Sequence, residues 1–411
     1  MGHLYRQDKV SYNSIVNLAL WLLVIFVLIV FLLDKLDLYL LFLGAAIFLG
    51  VIGGLSAADL AREFFKSLLA QRTLAVLLTL YLMSLYEVFL RRSGALGRLT
   101  HNFIKMLGDY RLTSVVMPAV MGLLPSPGGA RFSAPLVAET LENSEVSSQE
   151  KAFINFWFRH IWEPILPVYP GTLMAAMLME ITPGHLAQMN WYIPLLMIAV
   201  GWVLVFGFSL PSVKFQTPSW KEMFLDLGPL LAVIVAGITI KTDFTVPIAI
   251  LLACTFVYIL HAKTLPNMGI LLREALKWKM LSIIPAVYYF ANILGSTGAN
   301  EAVASSLSAF HLPAIVFFIV LPFVVSLITG LTQAGVGTAL PLLMGLTTPG
   351  NRVAMLNLAF IFAFIGVMAS PTHLCLILSR DYFEAKAGAL YNKLFMAVSV
   401  VGLFPVILAL F

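Results

Sequence analysis

Apolar runs of 17 or more residues recur from one end of the chain to the other, as in Ile15–Leu33, Tyr192–Leu210 and Ala389–Phe411. Each is long enough, as a helix, to cross a hydrocarbon core of about 30 Å. Charged or Gly/Pro clusters bound apolar segments at 14–33, 38–55, 73–90, 112–142, 152–180, 191–210, 226–240, 244–261, 280–296, 311–346, 353–379 and 389–410. Four of these, 112–142, 152–180, 311–346 and 353–379, are interrupted. The pattern predicts an all-α polytopic membrane protein. The first run lacks a small-residue cleavage site and reads as a helix that stays in place. Residues 56–72 and 262–279 are short and mixed in charge, and they predict amphipathic helices lying at the interface.

The order of these segments repeats. Sliding the chain by 204 residues lays Pro118 on Pro322, Pro167 on Pro371, and Ser93-Gly94-Ala95 on Thr297-Gly298-Ala299. Each half then reads helix, helix, interfacial helix, helix, interrupted segment, second interrupted segment, helix. If the first interrupted segment of each half enters and returns on one side, each half has five true crossings. An odd number places the second half upside down, so the expectation is two inverted-topology repeats, 1–212 and 213–411. Each carries a re-entrant helical hairpin and a broken transmembrane helix. Counting Lys and Arg on this layout puts 16 on one side and 7 on the other. The basic side is the cytoplasmic one, which leaves both termini outside a cell membrane.

The interruptions define the candidate site. Residues 112–124 and 130–142 would each form roughly 20 Å of helix, too short to cross alone, and "PSPGG" (125–129) marks the tip between them. In the second half the tip is "TGLTQAG" (329–335). The other two interruptions, "RHIWEPILPVYPGT" (159–172) and "GVMASPTHLCL" (366–376), break helices at proline. From Gly129 to Pro167 is 38 residues, and so is the span from Gln333 to Pro371. Two tips and two breaks are therefore expected to meet near the midplane. Irregular backbone persists at that depth where it is buried in protein or lines a cavity, and half-helix N-termini there suit an anion.

The candidate binding residues are Ser126, Gly128, Gly129 and Arg131 at the first tip and Thr332, Gln333 and Gly335 at the second. Glu163, Pro167, Ser370, Thr372 and His373 would line the breaks. Gly128 and Gly129 would adopt unusual dihedrals and let a ligand approach closely. Arg131 could meet a carboxylate or phosphate bidentately, or instead snorkel or pair with Glu139 or Glu163. His373 could bind ligand, move a proton or hold backbone. Arg159 and Glu163, four apart, read as a structural ion pair, and so do Glu87 and Arg91. Asn155, Asn292, Thr329, Thr332, Gln333, Thr338 and Asn357 suit a hydrated cavity or contacts between helices.

Composition agrees with the pattern. Of 411 residues 60% are hydrophobic and 11% charged, against about a quarter charged in a soluble domain. The net charge of +5 is spread over short loops, so no nucleic-acid partner is implied. Cys254 and Cys375 both sit in apolar runs and read as buried thiols. No P-loop is present for direct ATP drive.

"GLLPSPGGARFSAPLVAE" (122–139) and "MASPTHLCLIL" (368–378) resemble the signatures of an integral membrane family, domain of unknown function 401. That family is similar to the ion-transporter superfamily of gluconate, citrate, dicarboxylate and arsenite carriers. The resemblance implies an inverted-repeat fold with a scaffold and a moving transport domain, working as a homodimer by an elevator motion. Dicarboxylate members carry Ser-Asn-Thr at both tips, where they contact Na+ and carboxylate; here only Ser126 and Thr332 offer comparable hydroxyls. The expectation is a secondary transporter of a small anion in the lipid bilayer, with no cofactor beyond Na+ or H+ as coupling ion. The alternatives are an anion channel or a membrane-embedded metal enzyme. His-Glu-x-x-His, Gly-x-Gly-Asp and Gly-x-Ser-Gly are all absent, although His160, Glu163 and His373 could in principle share a metal.

Overall fold

The computed structural model describes residues 36–125, 129–209, 217–240, 242–308 and 311–410. Among them the secondary structure is helical throughout, with no strand. The expected first span, 14–33, and the expected repeat boundary at 212/213 lie outside the described residues, as do Ser126 and Gly128.

The first half runs α1 (Leu38–Ile52), α2 (Ala57–Leu69), α3 (Gln71–Arg92), α4 (Ala95–Leu107), α5 (Tyr110–Met121), α6 (Ala130–Thr140), α7 (Ser148–Trp157), α8 (Pro170–Leu178), α9 (Pro183–Asn190) and α10 (Tyr192–Phe206). The second runs α11 (Trp220–Thr239), α12 (Thr245–His261), α13 (Met268–Ala275), α14 (Trp278–Ser296), α15 (Ala299–Ser308), α16 (Ala314–Thr329), α17 (Thr332–Leu343), α18 (Arg352–Ala369), α19 (Leu374–Tyr382) and α20 (Ala387–Leu410). The first residues of α4, α5, α7, α8 and α9 each fall 204 positions before those of α15, α16, α18, α19 and α20. Helix α4 and its counterpart α15 were not among the expected segments, because neither holds an apolar run long enough to cross. Gly94 and Gly298, aligned in sequence, take φ of +74° and +70° before them, the left-handed region that glycine enters without a Cβ penalty.

Local chemistry explains the helix ends. Ser147 and Glu150 form a reciprocal capping box at the start of α7, and Ser56 and Asp59 form another at α2. Pro170 and Pro183 open α8 and α9, where proline's missing N–H costs nothing. Asp109 accepts from the backbone N–H groups of Arg111 and Leu112 to start α5.

Two hairpins and two broken helices occupy the centre. Helices α5 and α6 pack as one hairpin and α16 and α17 as the other. The second arm of each hairpin also packs on the broken helix of the opposite half, α6 on α19 and α17 on α8. Every residue from Leu356 to Ala369 is buried, as is every residue from Ala152 to His160. Such all-round burial belongs to helices at the middle of a bundle. The outer helices behave oppositely. Leu231 and Val235 on α11, Leu252 and Ile259 on α12, and Leu403 and Leu408 on α20 are all exposed. Large apolar faces left open around a packed core suit a lipid surround. By length and hydropathy, Gln71–Arg92, Trp220–Thr239, Arg352–Tyr382 and Ala387–Ala409 can each cross a membrane, and α9 and α10 form a further pair bent by 44°. The expected span 191–210 thus continues from α9 across a bend, whereas its counterpart α20 is unbroken.

The expected ion pair between Glu87 and Arg91 does not form. Glu87 takes the Lys277 ammonium at 2.9 Å, and Arg91 reaches Glu274 on α13 at 2.6 Å, where Arg92 joins it at 3.0 Å. Residues from the second half lie closer to each group than its neighbour one turn away. Burial alone would raise the Glu274 carboxyl, but the hydrogen bonds from Arg91 and Arg92 more than reverse this and hold it below the usual carboxylate range. A depressed folded pKa contributes stability above the unfolded value of about 4.3 that is lost as pH falls through the folded one. Glu274→Gln is therefore expected to lower the melting temperature slightly at pH 7, by under about 1 kcal/mol in stability. The difference from wild type should shrink as pH falls below about 4.3 and vanish once Glu274 is protonated in the folded protein as well. A difference that persists there would mean that the ion pairs are not what Glu274 contributes.

Candidate binding site at the helix breaks

The first broken helix ends its α turn at Trp157 and tightens to a 3-10 turn over Phe158–His160. It then passes through turns carrying Pro164 and Pro167 before restarting at Pro170. The second breaks over Ser370–His373, between α18 and α19. The second hairpin tip is Gly330-Leu331, with Gly330 at φ +68°, and the first lies between Met121 and Ala130.

These four irregular places meet. At the first tip and first break, Arg159 donates from Nη1 to the Met121 carbonyl at 3.0 Å and Trp162 donates to the Ala119 carbonyl at 2.9 Å. The Tyr169 hydroxyl donates to the Gly122 carbonyl. At the second tip and second break, Ser370 and Thr372 donate to the carbonyls of Leu327 at 2.6 Å and Ile328 at 3.0 Å. The ring of His373 bonds the Gly330 carbonyl through Nδ1 at 2.9 Å. At the tips and breaks themselves, two polar contacts join the halves. Thr332, the first residue of α17, donates its hydroxyl to Glu163 Oε1 at 2.6 Å, and His160 and His373 face one another with Nε2 atoms 3.2 Å apart. Thr332 also packs on the first turn of α8, where a Cβ on Gly171 would come within 2.7 Å of its methyl carbon. The N-terminal ends of α8, α17 and α19 thus gather at one place, each with unbonded backbone N–H groups and the positive end of a helix dipole.

Among the expected residues, the structure groups Glu163, Thr332, Ser370, Thr372 and His373. Glu163 and Ser370 are buried, and the Glu163 carbonyl also accepts from the Thr172 hydroxyl. Gln333 is half-buried beside Thr332. Three others sit differently. Pro167 turns away from the tips and packs on Gly237 of α11, whose absent Cβ would lie 2.8 Å from the proline ring. Gly335 lies one turn inside the second hairpin, against Ser326 and Pro322 of its other arm and Ala363 of α18, so it serves hairpin packing. Arg131 lies on the exposed face of α6, whereas the buried face carries Ala130, Ser133, Ala134 and Val137. Gly129 is buried with φ −60° and ψ −16°, an ordinary helical conformation. The unusual dihedral expected there is found instead at Gly330 of the other tip.

Several polar residues expected in a cavity tie helices together. Asn155 accepts from Ser133 at 2.6 Å and donates to the Ala130 carbonyl at 3.1 Å and to Ser379 at 2.8 Å, joining α6, α7 and α19. Asn190 and Asn357 exchange two amide bonds of 2.9 Å between α9 and α18. Asn292 donates to Ser67 at 2.8 Å. The residue that sequence reasoning passed over is Cys375. Its thiol and the two imidazoles bring their donor atoms within 4.8 Å of one another. Its spacing from His373, on opposite sides of a helix start, gave no recognisable ligand pattern.

No curated protein matches this chain. Among solved structures it is similar to the crystal structure of the YdaH transporter of Alcanivorax borkumensis, which was described as having an unusual topology. The TM-score is 0.56 at 14% identity, covering 86% of this chain and 88% of that one, a likeness of fold. The family model for a protein of unknown function, DUF401, matches residues 14–411, nearly the whole chain. The chain therefore belongs to the DUF401 family and has an all-helical, multi-pass membrane fold similar to that of the YdaH transporter.

Proposed function

We propose that this protein is a secondary active transporter of a small anion, an organic acid or an oxyanion, coupled to Na+ or H+. The observation that carries the reading is the meeting of both hairpin tips and both helix breaks, which gathers the starts of α8, α17 and α19 around Thr332, Ser370, Thr372 and His373. Helix N-termini present N–H groups and positive dipole ends, the standard setting for an anion. Glu163 supplies the one carboxylate among the grouped candidates, and a buried acid beside such a site is suited to bind Na+ or a proton. The similarity to a transporter of known structure supports the same class.

In this reading the tips and breaks move together as a transport domain, by the elevator motion expected of the resemblance, in a homodimer with both termini outside. The apolar groove between α11 and α12, where small residues such as Gly228 and Ala232 alternate with Phe224, Leu252 and Phe256, is the face proposed to meet the second copy. The chain acts as a carrier and performs no chemistry on the anion.

A thermal-unfolding screen of the purified protein tests this. The panel is citrate, succinate, gluconate, sulfate, phosphate and arsenite, each with and without Na+ and at two pH values. An anion at 100 times its dissociation constant should stabilise the fold by roughly 2.7 kcal/mol. Stabilisation by one of them that depends on Na+ or pH is the expected result. A flat response to the whole panel would count against the reading.

A further inference from the structure

His160, His373 and Cys375 form a cluster of donor atoms that shares only His373 with the proposed anion site. His160 and Cys375 are buried, at 4% and 5% exposure, and His373 is half-buried between them. The protonation of the two rings follows from their partners. Nδ1 of His160 lies 2.7 Å from the Phe156 carbonyl, and Nδ1 of His373 lies 2.9 Å from the Gly330 carbonyl. A carbonyl oxygen only accepts, so both Nδ1 atoms carry the hydrogen. In the neutral rings both Nε2 atoms are then lone pairs, and they face each other at 3.2 Å. One thiol proton on Cys375 can satisfy only one of them.

A metal ion resolves this arrangement. We infer that His160, His373 and Cys375 hold a soft transition-metal ion, Zn2+ by its donor set, at the junction of the two broken helices. Two imidazole nitrogens at about 2.05 Å from a tetrahedral Zn2+ lie roughly 3.3 Å apart, close to the separation present. Metal-binding histidines donate their other ring N–H to a carbonyl or carboxylate, which fixes the tautomer and aims Nε2. Both rings already do so, from two different elements, α7 and the second hairpin tip. Phe156 lies against both, with ring centroids 4.8 Å from His160 and 5.6 Å from His373, an apolar wall that keeps the site from water. On binding, the Cys375 thiol gives its proton to solvent and the sulfur becomes a metal ligand. Three protein donors leave the fourth position open. The ion would fasten the first break to the second and, through Gly330, to the second tip. The inference does not require the anion reading, because His160 and Cys375 lie outside the residues proposed to bind the anion and Zn2+ binding is read without it.

The test is Zn2+ titration of the purified full-length protein against a chromophoric chelator, with Co2+ as a spectroscopic substitute. One equivalent of Zn2+ per chain is expected, and Co2+ should give a thiolate charge-transfer band. Cys375→Ser and His373→Gln should each weaken binding on the order of 100-fold, and Cys375→Ser should remove the band. Cys254→Ser, which changes the other thiol, should leave both unchanged. Melts with excess chelator confirm that the variants are folded. If His160→Gln fails to fold, Cys375→Ser and the wild-type Co2+ spectrum still decide. No Zn2+ binding by the wild type, or binding that survives both Cys375→Ser and His373→Gln, would overturn the assignment.

Discussion

Gly122→Ala is expected to destabilise the protein by roughly 3 kcal/mol or more, at the upper end of what overpacking costs, and to lower its yield of folded material. Gly122 ends α5 in an ordinary helical conformation, so backbone freedom is not what requires glycine there. The requirement is space, because a methyl group would land on the backbone carbonyl of Arg159. Backbone cannot swing aside as a side-chain tip can, and this backbone is held in place. Arg159 donates back to Met121, and Tyr169 donates to the Gly122 carbonyl itself. The first hairpin tip and the first break are one packed unit, and the substitution would force them apart. Gly97→Ala provides the control. It lies exposed within α4 with nothing within 4 Å of its added methyl, and alanine in a helix interior should be neutral or stabilising by up to about 1 kcal/mol. Thermal or denaturant unfolding of both variants in detergent measures the contrast. Equal stability of the two would mean that the tip and break do not pack this closely.

Thr332→Val should nearly abolish transport while leaving the protein folded. The substitution keeps the shape that packs on Gly171 and removes only the hydroxyl that donates to Glu163. Glu163 is 7% exposed, and a hydrogen bond to a charged group contributes about 1.5–3 kcal/mol. Its loss frees the carboxylate to turn, at the position where α17 and α8 begin. A loss of that size corresponds to roughly a 10- to 150-fold fall in an equilibrium or rate. Thr332→Ser, which restores the hydroxyl, should recover most of the uptake. Recovery separates a role in the site from a loss of packing, because serine lacks the methyl and would not repair the latter. Full uptake by Thr332→Val would remove this hydrogen bond from the mechanism.

The repeated architecture was legible in the sequence because its punctuation is local. Proline and glycine interrupt apolar runs at the tips and breaks, and a run too short to cross announces a hairpin whatever it packs against. The aligned Gly94 and Gly298 belong to the same class of signal, since a left-handed residue before a helix needs glycine in both halves. What stayed hidden depends on residues far apart in the chain. Spacing placed Glu87 and Arg91 on one helical face, but their partners Lys277 and Glu274 come from the other half and win by proximity. Pro167 marks its break correctly, yet whether its ring faces the tip or Gly237 is decided by α11. Cys375 was lost in an apolar run, and only the fold brings His160 to it across 215 positions of chain. Helices α4 and α15 escaped because a short segment without a long apolar run carries no span signal even when it is a well-formed helix.

If the meeting of tips and breaks binds and carries an anion, proteoliposomes holding the protein should take that anion up. The purified protein would be reconstituted and given each labelled anion of the screening panel, under an inward Na+ gradient, an inward proton gradient, or neither. At least one anion is expected to accumulate above its equilibrium level under one gradient, and Thr332→Val vesicles to fail to accumulate it. Failure of every anion to accumulate under either gradient, with folded protein in the vesicles, would mean that the tips and breaks do not form an anion carrier.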